Sequence, residues 1–369
     1  MTVIVNGSFT AQAITGVQRY AWELLRALAR SCRGRFRIVL ASPRRAAPAA
    51  GALLEAAMAE GVEVLESGSR MPIPLWTQVE LPAIARRAGA DLIWSPANIG
   101  PLRVARQVVS IHDASVFVGP EWFSPAFRVY YRALLPRIGR RVERILAPSE
   151  AARSDLARHG VAPEERIDVV YPGISPAFHP AVDLSGWGAE RPYVLAVGSR
   201  DPRKNWKTLL QAWSMLPEGV RSGRQLILAG GSARAFATNA LGPLPPGTKL
   251  VGRVPEEKLP ALYAGADLLA FPSLYEGFGL PPLEAMACGV PVVVSGAPSL
   301  REVCGDAALY HDPLDARGLA RAMETALSDA ATRENLRAAG RARALRYTWD
   351  SSGAKLAEII ERCVEQPSR

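Results

Sequence analysis

Lysine is scarce in this sequence of 369 residues, and no lysine precedes position 204. Arginine supplies most of the basic charge, and the formal net charge is +9. A basic balance suits acidic ligands such as nucleotide diphosphates, polyprenyl phosphates or anionic lipid surfaces, and it suits nucleic acid equally well. Charge alone therefore does not decide among these partners. The lysines are Lys204, Lys207, Lys249, Lys258 and Lys355.

Features that would export or anchor the chain are also missing. No uninterrupted apolar run approaches the roughly 18 residues of a membrane-spanning helix. The amino terminus enters an apolar run directly, without the basic segment and small-residue cleavage site of a secretion signal. We therefore expect a cytoplasmic protein, with any membrane contact peripheral and at the inner membrane face.

The sequence offers little to a metal ion. Its four cysteines are scattered without metal-ligand spacing, and it has no Asp-x-Asp motif to hold a divalent metal. The cysteines are Cys32, Cys288, Cys304 and Cys363. We expect reduced thiols, no metal site and no cofactor.

Short apolar, β-branched runs alternate with amphipathic helical stretches along the whole chain, as in parallel sheets wrapped by helices. The length exceeds what one core usually supports, so two domains are expected. The pattern pauses at Pro172–Arg191, where prolines and glycines replace periodicity, and then restarts. This predicts an α/β protein with two doubly wound, Rossmann-like halves, whose ligand binds beyond the carboxyl ends of the strands, in the cleft between them. The predicted strands are Thr2–Asn6, Phe36–Ala41, Val62–Leu65, Asp91–Ser95, Gln107–His112, Arg144–Pro148, Ile167–Tyr171, Tyr193–Val197, Gln225–Ala229, Lys249–Val251, Asp267–Phe271, Pro291–Ser295 and Ala308–Tyr310.

The most informative stretch is a glycine-rich turn that separates Glu276 from Glu284 by seven residues. Gly277 and Gly279 allow the backbone to approach a ligand closely. The prolines that follow suit the first turn of a helix, whose free N–H groups form an anion site. A diphosphate bound there would have one glutamate on each side, and the two carboxylates could accept hydrogen bonds from both ends of a nucleotide-sugar. For an arbitrary pair, two solvated glutamates beside a tight turn would be the better interpretation.

Cations cluster in the loop after the predicted strand Tyr193–Val197, where Arg200, Arg203 and Lys204 would meet the diphosphate. Negative charge grows on the departing phosphate as a donor breaks, and fixed cations stabilise that charge more than they stabilise the intact donor. With no metal motif in the sequence, these side chains would take the metal's place. The alternative is a solvated basic loop that Asn205 caps before a helix.

One histidine lies where a ligand would bind. His112 ends the apolar strand predicted to start at Gln107, and a side chain at the end of a strand points into the cleft. A lone histidine is more often structural, so its spacing alone does not favour a functional role.

The run Tyr-Glu-Gly-Phe-Gly-Leu-Pro-Pro-Leu-Glu resembles the Glu-x7-Glu signature of retaining GT-B glycosyltransferases, particularly those of family 4. In that family the first glutamate meets the donor sugar and the second meets the ribose, which assigns these roles to Glu276 and Glu284. The resemblance covers nearly the entire chain and is most specific between Lys249 and Asp312. It places the intervening residues at the donor as well: Gly277, Phe278, Gly279 and Leu280.

The resemblance also assigns residues outside that turn. The family carries an arginine and a lysine in the basic loop, with the lysine followed by glycine or asparagine, and Lys204 with its following asparagine matches. Arg203 and Arg200 are rival candidates for the arginine. His112 resembles the histidine that contacts the donor sugar near the reacting carbon.

Two further segments match in the same way. Gly16 opens a helix and resembles the glycine loop that closes over donor phosphate and acceptor. Arg253 and Val254 correspond to the segment whose backbone groups face the nucleobase. By sequence alone, Gly16 marks only the start of a helix.

The resemblance implies a retaining, metal-independent hexosyltransferase of polysaccharide biosynthesis. The donor would be a nucleotide-diphosphate sugar, and the acceptor would be a hydroxyl of a glycan or of a polyprenyl-diphosphate-linked glycan. The pattern from Thr15 to Tyr20 looks like that of bacterial mannosyl- and rhamnosyl-type polymer enzymes, which favours GDP-mannose over UDP-linked hexoses. An acceptor-side domain would span 1–178 and a donor domain 179–349, with a helix at about 350–369 packing back on the first.

Arginines recur among aromatic residues between positions 128 and 144. This stretch fits a basic amphipathic helix for a membrane surface or a lipid-diphosphate acceptor. A solvated helix face is an equal alternative, and Pro136 argues against one long uninterrupted helix.

Other classes of protein remain open at this point. A catalytically silent GT-B subunit would keep the fold and bind a nucleotide-sugar or a partner without turnover. A nucleic-acid-binding α/β protein would need its basic residues concentrated with aromatics along a groove, whereas these arginines are spread over both halves. A glycoside hydrolase would need carboxylates straddling one sugar bond, about 5 to 9 Å apart.

Overall fold

A computed structural model describes residues 1–43, 47, 50–184, 192–231 and 241–365. The chain divides into two compact units. Unit 1 contains Met1–Phe117, Val129–Gly173 and Thr348–Arg369, and unit 2 contains Val118–Arg128 and Ile174–Tyr347. The predicted pause at 172–191 includes residues 185–191, which lie outside the described residues.

Within the described residues, unit 1 is built on a parallel sheet of seven strands in the order β3-β2-β1-β4-β5-β6-β7. The strands are β1 (Thr2–Asn6), β2 (Arg37–Ser42), β3 (Glu63–Glu66), β4 (Leu92–Ser95), β5 (Gln107–Ser110), β6 (Arg144–Ala147) and β7 (Ile167–Val169). The helices are α1 (Gly16–Ser31), α2 (Gly51–Ala59), α3 (Ile73–Arg87), α4 (Ser115–Val118), α5 (Pro125–Arg141) and α6 (Glu150–Arg158). The strand order reverses between β1 and β4, which makes that point the topological switch of this sheet.

Unit 2 repeats the scheme with six described parallel strands in the order β10-β9-β8-β11-β12-β13, and its switch point lies between β8 and β11. The strands are β8 (Tyr193–Val197), β9 (Gln225–Ala229), β10 (Thr248–Gly252), β11 (Leu268–Phe271), β12 (Val292–Ser295) and β13 (Leu309–His311). The helices are α7 (Trp206–Met215), α8 (Glu218–Arg221), α9 (Leu259–Ala264), α10 (Leu280–Ala287), α11 (Pro298–Cys304), α12 (Ala316–Ser328), α13 (Ala330–Ala344) and α14 (Trp349–Glu365). The last of these, α14, belongs to unit 1.

The central strands of both sheets are covered on both faces, which explains why they are nearly continuous apolar runs. In β12, for example, all four residues are buried. Separate apolar clusters lie on the two faces of each sheet. The predicted α/β class with two parallel, doubly wound sheets is therefore confirmed.

The helix α14 packs against α1 in unit 1, where Gly353 faces the backbone of Ala27. A Cβ atom at Gly353 would lie 2.5 Å from the Ala27 carbonyl oxygen, so the two helices approach as closely as their backbones allow. Two buried thiols, Cys32 and Cys363, lie in the same apolar core of unit 1. Burial raises the pKa of each to about 11. A thiol with a raised pKa is a weak nucleophile at neutral pH.

The expectation that Pro136 interrupts the basic helix is wrong, because α5 continues through it from Pro125 to Arg141. Leu134, Leu135 and Ile138 are buried around the proline, and their packing outweighs the missing backbone hydrogen bond. None of the described helices is long and apolar enough to cross a membrane.

Candidate active site

Two loops of unit 2 meet at the switch point of its sheet. One follows β8 and contains Arg200, Arg203 and Lys204, and the other follows β11 and contains Glu276. Because β8 and β11 are neighbouring parallel strands, both loops leave the same edge of the sheet. The sequence prediction that these residues belong to one site depends on this adjacency.

Backbone and side-chain hydrogen bonds join the two loops directly. The Leu274 N–H donates to the Arg203 carbonyl over 2.7 Å. The side-chain amide of Asn205 donates to the carbonyl of Pro272 over 3.1 Å and to that of Pro313 over 2.6 Å. Asn205 itself adopts a left-handed conformation with φ 53°, which asparagine tolerates better than most residues. It therefore fixes the positions of both loops in addition to preceding α7.

An ion pair closes the contact between the loops. The Lys204 Nζ donates to Glu276 Oε1 over 2.5 Å, and each side chain is only 13% exposed. The ammonium group also lies 5.0 Å from the centre of the Phe271 ring. The Lys204 ammonium group is therefore held by a carboxylate and an aromatic ring in a partly desolvated position, and it needs little rearrangement to meet an anionic ligand.

Arg203 and Arg200 differ in their surroundings. The Arg203 side chain is 12% exposed and contacts the carboxylate of Asp201, with Nε to Oδ1 at 3.3 Å. The side chain of Arg200 is exposed, and its backbone N–H donates to the Gly231 carbonyl over 2.8 Å. Of the two arginines, Arg203 is therefore the one held inside the loop cluster.

Close backbone approach shapes the loop after β8. Gly230 has φ 153°, and a Cβ atom there would lie 1.6 Å from the Gly198 carbonyl oxygen. The Gly230 N–H donates to the Gly252 carbonyl over 2.7 Å. The loops after β8, β9 and β10 thus stack closely at Gly230, where there is no room for a side chain.

The predicted turn before α10 has the geometry that its glycines suggested. Gly279 has φ 126°, and a Cβ atom there would meet Leu300 at 2.7 Å. Phe278 is buried and packs edge-on against Tyr347 at 5.6 Å, which anchors the turn. The Glu276 carbonyl accepts from the Ser299 hydroxyl over 2.7 Å. Leu280 begins α10 and packs partly against the core of unit 2.

Glu284 lies one turn into α10 and is buried. A buried carboxylate requires hydrogen-bonding partners, so its position in this helix is not that of a solvated surface glutamate.

Arg253 and Val254 follow β10, where the Arg253 side chain is exposed and Val254 packs partly against the core of unit 2.

His112 and Gly16 lie in unit 1. The His112 Nε2 is 2.9 Å from the Pro96 carbonyl, so Nε2 carries the proton, and the His112 N–H donates to Asn98 Oδ1. Tyr20, one turn after Gly16 on α1, packs edge-on against the imidazole at 4.6 Å. Burial lowers the pKa of His112, which keeps the ring neutral at neutral pH and leaves Nδ1 as its acceptor nitrogen.

Gly16 opens α1, where the side-chain oxygen of Gln18 accepts from the Thr15 N–H. A Cβ atom at Gly16 would meet no described heavy atom within 4 Å, so packing within the described chain does not require glycine there.

Sequence reasoning missed three residues that contact the site: Asp201, Trp122 and Phe123. Asp201 is a single carboxylate inside a basic loop, and that contrast was an available signal. The two aromatic residues follow a glycine and a proline far from the loop in sequence, and no local pattern links them to Arg203.

Two family models together match most of the chain. The family model "Glycosyltransferase Family 4" matches residues 14–178, and the model "Glycosyl transferases group 1" matches residues 184–343. The chain is 38% identical to O-antigen chain mannosyltransferase B of Escherichia coli over 284 residues, 73% of this chain and 74% of that protein. It is 30% identical to O-antigen chain mannosyltransferase RfbU of Salmonella typhimurium over 62% of this chain and 64% of that protein. Its match to the serotype-specific mannosyltransferase WbdA of Escherichia coli spans only 34% of that longer protein.

Solved structures match over nearly the full length. Sucrose-phosphate synthase from Thermosynechococcus elongatus superposes with a TM-score of 0.73 at 20% identity, covering 99% of both chains. Anabaena HepE in complex with UDP-glucose superposes with a TM-score of 0.72 at 21% identity, covering 98% of this chain and 99% of that one. At these identities the likeness shows the fold, which is the GT-B fold.

Proposed function

Because this chain belongs to the GT-B glycosyltransferases of family 4 and group 1, we propose that it transfers mannose from GDP-mannose to a hydroxyl of a growing glycan. The observation that carries the proposal is the Lys204–Glu276 pair at the switch point of unit 2, where the loops after β8 and β11 meet. The choice of mannose rests on the similarity to O-antigen mannosyltransferases.

The donor would bind along the loop cluster of unit 2. Lys204 and Arg203 contact the diphosphate, Glu284 accepts from the ribose hydroxyls, and Glu276 accepts from the sugar hydroxyls. The burial of Glu284 and the left-handed turn at Gly279 support this placement, since a ligand can approach the start of α10 closely. For the arginine, the contacts favour Arg203 over Arg200, which would lie nearer the edge of the site. Backbone groups of Arg253 and Val254 would face the nucleobase.

The reaction is proposed to retain the anomeric configuration. The bond between the anomeric carbon and the diphosphate oxygen breaks, and the acceptor oxygen bonds to that carbon on the same face. The proton of the acceptor hydroxyl passes to the departing phosphate oxygen, so the nucleoside diphosphate leaves with that proton. Lys204 and Arg203 stabilise the charge that grows on the diphosphate, in the role that a metal ion has elsewhere.

Two residues of unit 1 would contact the sugar and the phosphates. The neutral imidazole of His112 is fixed by the Pro96 carbonyl and the Tyr20 ring, which supports a role as a rigid acceptor beside the sugar near the reacting carbon. Because no described heavy atom lies within 4 Å of a Cβ at Gly16, donor phosphate and acceptor would be able to approach the start of α1 closely.

Nucleotide binding gives the first test. GDP and GDP-mannose are expected to raise the melting temperature of the wild-type protein by about 5 °C at a hundredfold excess over the dissociation constant. Glu284→Gln is expected to lose most of that shift, because its amide would no longer accept from both ribose hydroxyls as a carboxylate does. The measurement is a thermal-shift series with GDP, UDP, ADP and dTDP and their sugars, each referred to the same variant without ligand.

Glu334→Gln is the matched control, since Glu334 is exposed on α13 and its variant should keep the full shift. A shift with UDP compounds alone would replace the proposed donor. A shift without any transfer to a glycan acceptor would favour a catalytically silent nucleotide-sugar-binding subunit. No shift with any nucleotide would contradict a donor site in unit 2.

We also propose that the enzyme docks on an anionic membrane surface through α5, which fits an acceptor carried on a lipid. Its Val129 is 66% exposed and Tyr130 is 42% exposed. The exposed arginines of the helix are Arg132, Arg137, Arg140 and Arg141. No acidic residue occurs between positions 122 and 142. Apolar and basic side chains on one helix suit an interface with anionic lipids.

Charge reversal at the end of α5 should weaken binding to vesicles that contain phosphatidylglycerol. The double variant Arg140→Glu/Arg141→Glu is expected to bind them at least about thirtyfold more weakly, because each basic residue near such a surface contributes about 1 kcal/mol. Arg86→Glu/Arg87→Glu changes the same charge in the last turn of α3 and should bind like the wild type. Equal weakening in both double variants, measured by vesicle co-sedimentation, would contradict a specific surface on α5.

A further inference from the structure

The segment Val118–Arg128 belongs to unit 2, although the residues on both sides of it belong to unit 1. It contains a short 3-10 helix, Pro120–Trp122, and the first turn of α5. It begins only a few residues after His112 in the chain. Within unit 2 it contacts the loops of the candidate site.

The first contact is with the basic loop. Phe123 is buried, and the guanidinium carbon of Arg203 lies 5.7 Å from the centre of its ring. Phe127 stacks on the Phe123 ring, with the ring centres 5.1 Å apart and an interplanar angle of 8°. An aromatic face at this distance attracts a cation and restricts the plane in which a guanidinium can lie.

Asp201 holds the same guanidinium through its carboxylate. Its side chain is fully buried, and its Oδ2 lies 3.4 Å from Arg203 Nη2 while Oδ1 lies 3.3 Å from Nε. The carboxylate also accepts from the Arg203 backbone N–H and from the Ser199 hydroxyl, both over 2.8 Å. Since Asp201 is itself fixed by these bonds, it can set the direction of the arginine.

A second contact reaches the other loop of the site. Trp122 lies 6.3 Å from Tyr275, centre to centre, and Tyr275 directly precedes Glu276. The indole lies against Gly119, where a Cβ atom would come within 2.3 Å of the ring. The segment therefore contacts both loops that carry the proposed donor-binding charges.

We propose that Phe123 and Asp201 are positioning residues that fix the Arg203 guanidinium between an aromatic face and a carboxylate, in the orientation that meets the donor diphosphate. This inference rests on the proposed function, since it assigns Arg203 to the diphosphate. It adds that the orientation of a donor-site arginine depends on a segment supplied from the sequence of the other half of the chain.

The test uses the full-length enzyme with its nucleotide-sugar donor and a glycan acceptor. Phe123→Leu keeps apolar volume and removes the ring face, and it is expected to lower kcat about tenfold. The KM for the donor should change less than about twofold, because a misdirected guanidinium loses more of its contact with the transition state than with the bound donor. Phe123→Tyr, which keeps the ring, should restore most of the activity.

Coupling to Arg203 separates a positioning role from a structural one. In an Arg203→Met background, Phe123→Leu should lower kcat less than about twofold further, since the side chain that it positions is gone. Asp201→Asn tests the carboxylate contact with the Arg203 guanidinium, and its result does not depend on the stability of the Phe123 variants. It should lower kcat about tenfold alone and show the same coupling.

Phe117 supplies a matched control, because its ring lies 5.7 Å from the guanidinium of Arg132 in unit 1. Phe117→Leu removes an equivalent pair within unit 1 and should leave kcat unchanged. If the wild-type enzyme is active, two results would overturn this inference without affecting the proposed function. In one, Phe123→Leu and Asp201→Asn turn over at the wild-type rate. In the other, their losses in kcat add fully to that of Arg203→Met. A wild-type protein that neither binds nor turns over a nucleotide-sugar would overturn the proposed function and this inference with it.

Discussion

Replacing Lys204 with methionine is expected to lower the turnover number for glycosyl transfer by about 10²- to 10³-fold. Lys204 is a cation held at the switch point of unit 2 by Glu276 and the Phe271 ring, so it needs little rearrangement to meet charge that grows on a departing diphosphate. Methionine has similar length and fills the same space without charge. Initial rates with saturating donor and acceptor measure the effect.

Lys207→Met is the control for this substitution. Lys207 lies on the exposed face of α7, three residues further along the chain, and its variant should turn over like the wild type. The control removes the same charge from the same unit, so a general electrostatic effect would lower both rates. A Lys204→Met enzyme within about threefold of the wild-type rate would show that this lysine does not stabilise the leaving group.

Loss of stability can be separated from loss of chemistry at this position. Removing Lys204 leaves the largely buried carboxylate of Glu276 without its ammonium partner, which should cost about 1 to 3 kcal/mol of the free energy of unfolding. Adding Glu276→Gln to Lys204→Met should recover part of that stability, because the buried charge is removed. It should recover no activity, since the cation is still absent.

The central strands of both sheets could be predicted from the sequence because they are buried on both faces. Apolar runs such as Tyr193–Val197 and Gln225–Ala229 have no other stable environment in a two-unit chain of this size, and both strands have the predicted ends. The strand predicted to end at His112 instead ends at Ser110. The His112 N–H donates to the Asn98 side chain instead of continuing the strand pairing, and the apolar pattern alone does not reveal that hydrogen bond.

The charged residues of the candidate site were predicted because short motifs carry them. Lys204 with Asn205, and Glu276 with its glycines, are recognisable over a few residues, and the adjacency of β8 and β11 then brings them together. The residues that set their directions were not predicted. Phe123 and Arg203 are far apart in sequence, and their contact depends on long-range packing that leaves no local pattern.

Gly230→Ala is expected to destabilise unit 2 by about 3 kcal/mol. The added carbon would lie 1.6 Å from the Gly198 carbonyl oxygen, and the backbone at Gly230 has φ 153°, which residues with a side chain rarely adopt. The loops after β8 and β9 must separate to admit it. Urea unfolding, followed by circular dichroism and by tryptophan fluorescence, measures the change.

Gly231→Ala is the neighbouring control, because among the described residues its Cβ would meet only the Cβ of Arg253, at an ordinary 3.8 Å. It should change the free energy of unfolding by less than about 1 kcal/mol. Similar unfolding midpoints for the two variants would contradict the close stacking of these loops.

The same crowding connects the stability of unit 2 to its donor site. The methylene groups of Lys204 lie against Gly198, where a Cβ atom would approach them to 3.0 Å, so a displaced Gly198 moves the support of that lysine. The melting temperature of folded Gly230→Ala should therefore rise less on nucleotide binding than that of the wild type, when each is compared with the same variant without ligand. Gly231→Ala should keep that shift, because it leaves the Gly198 carbonyl and the lysine in place.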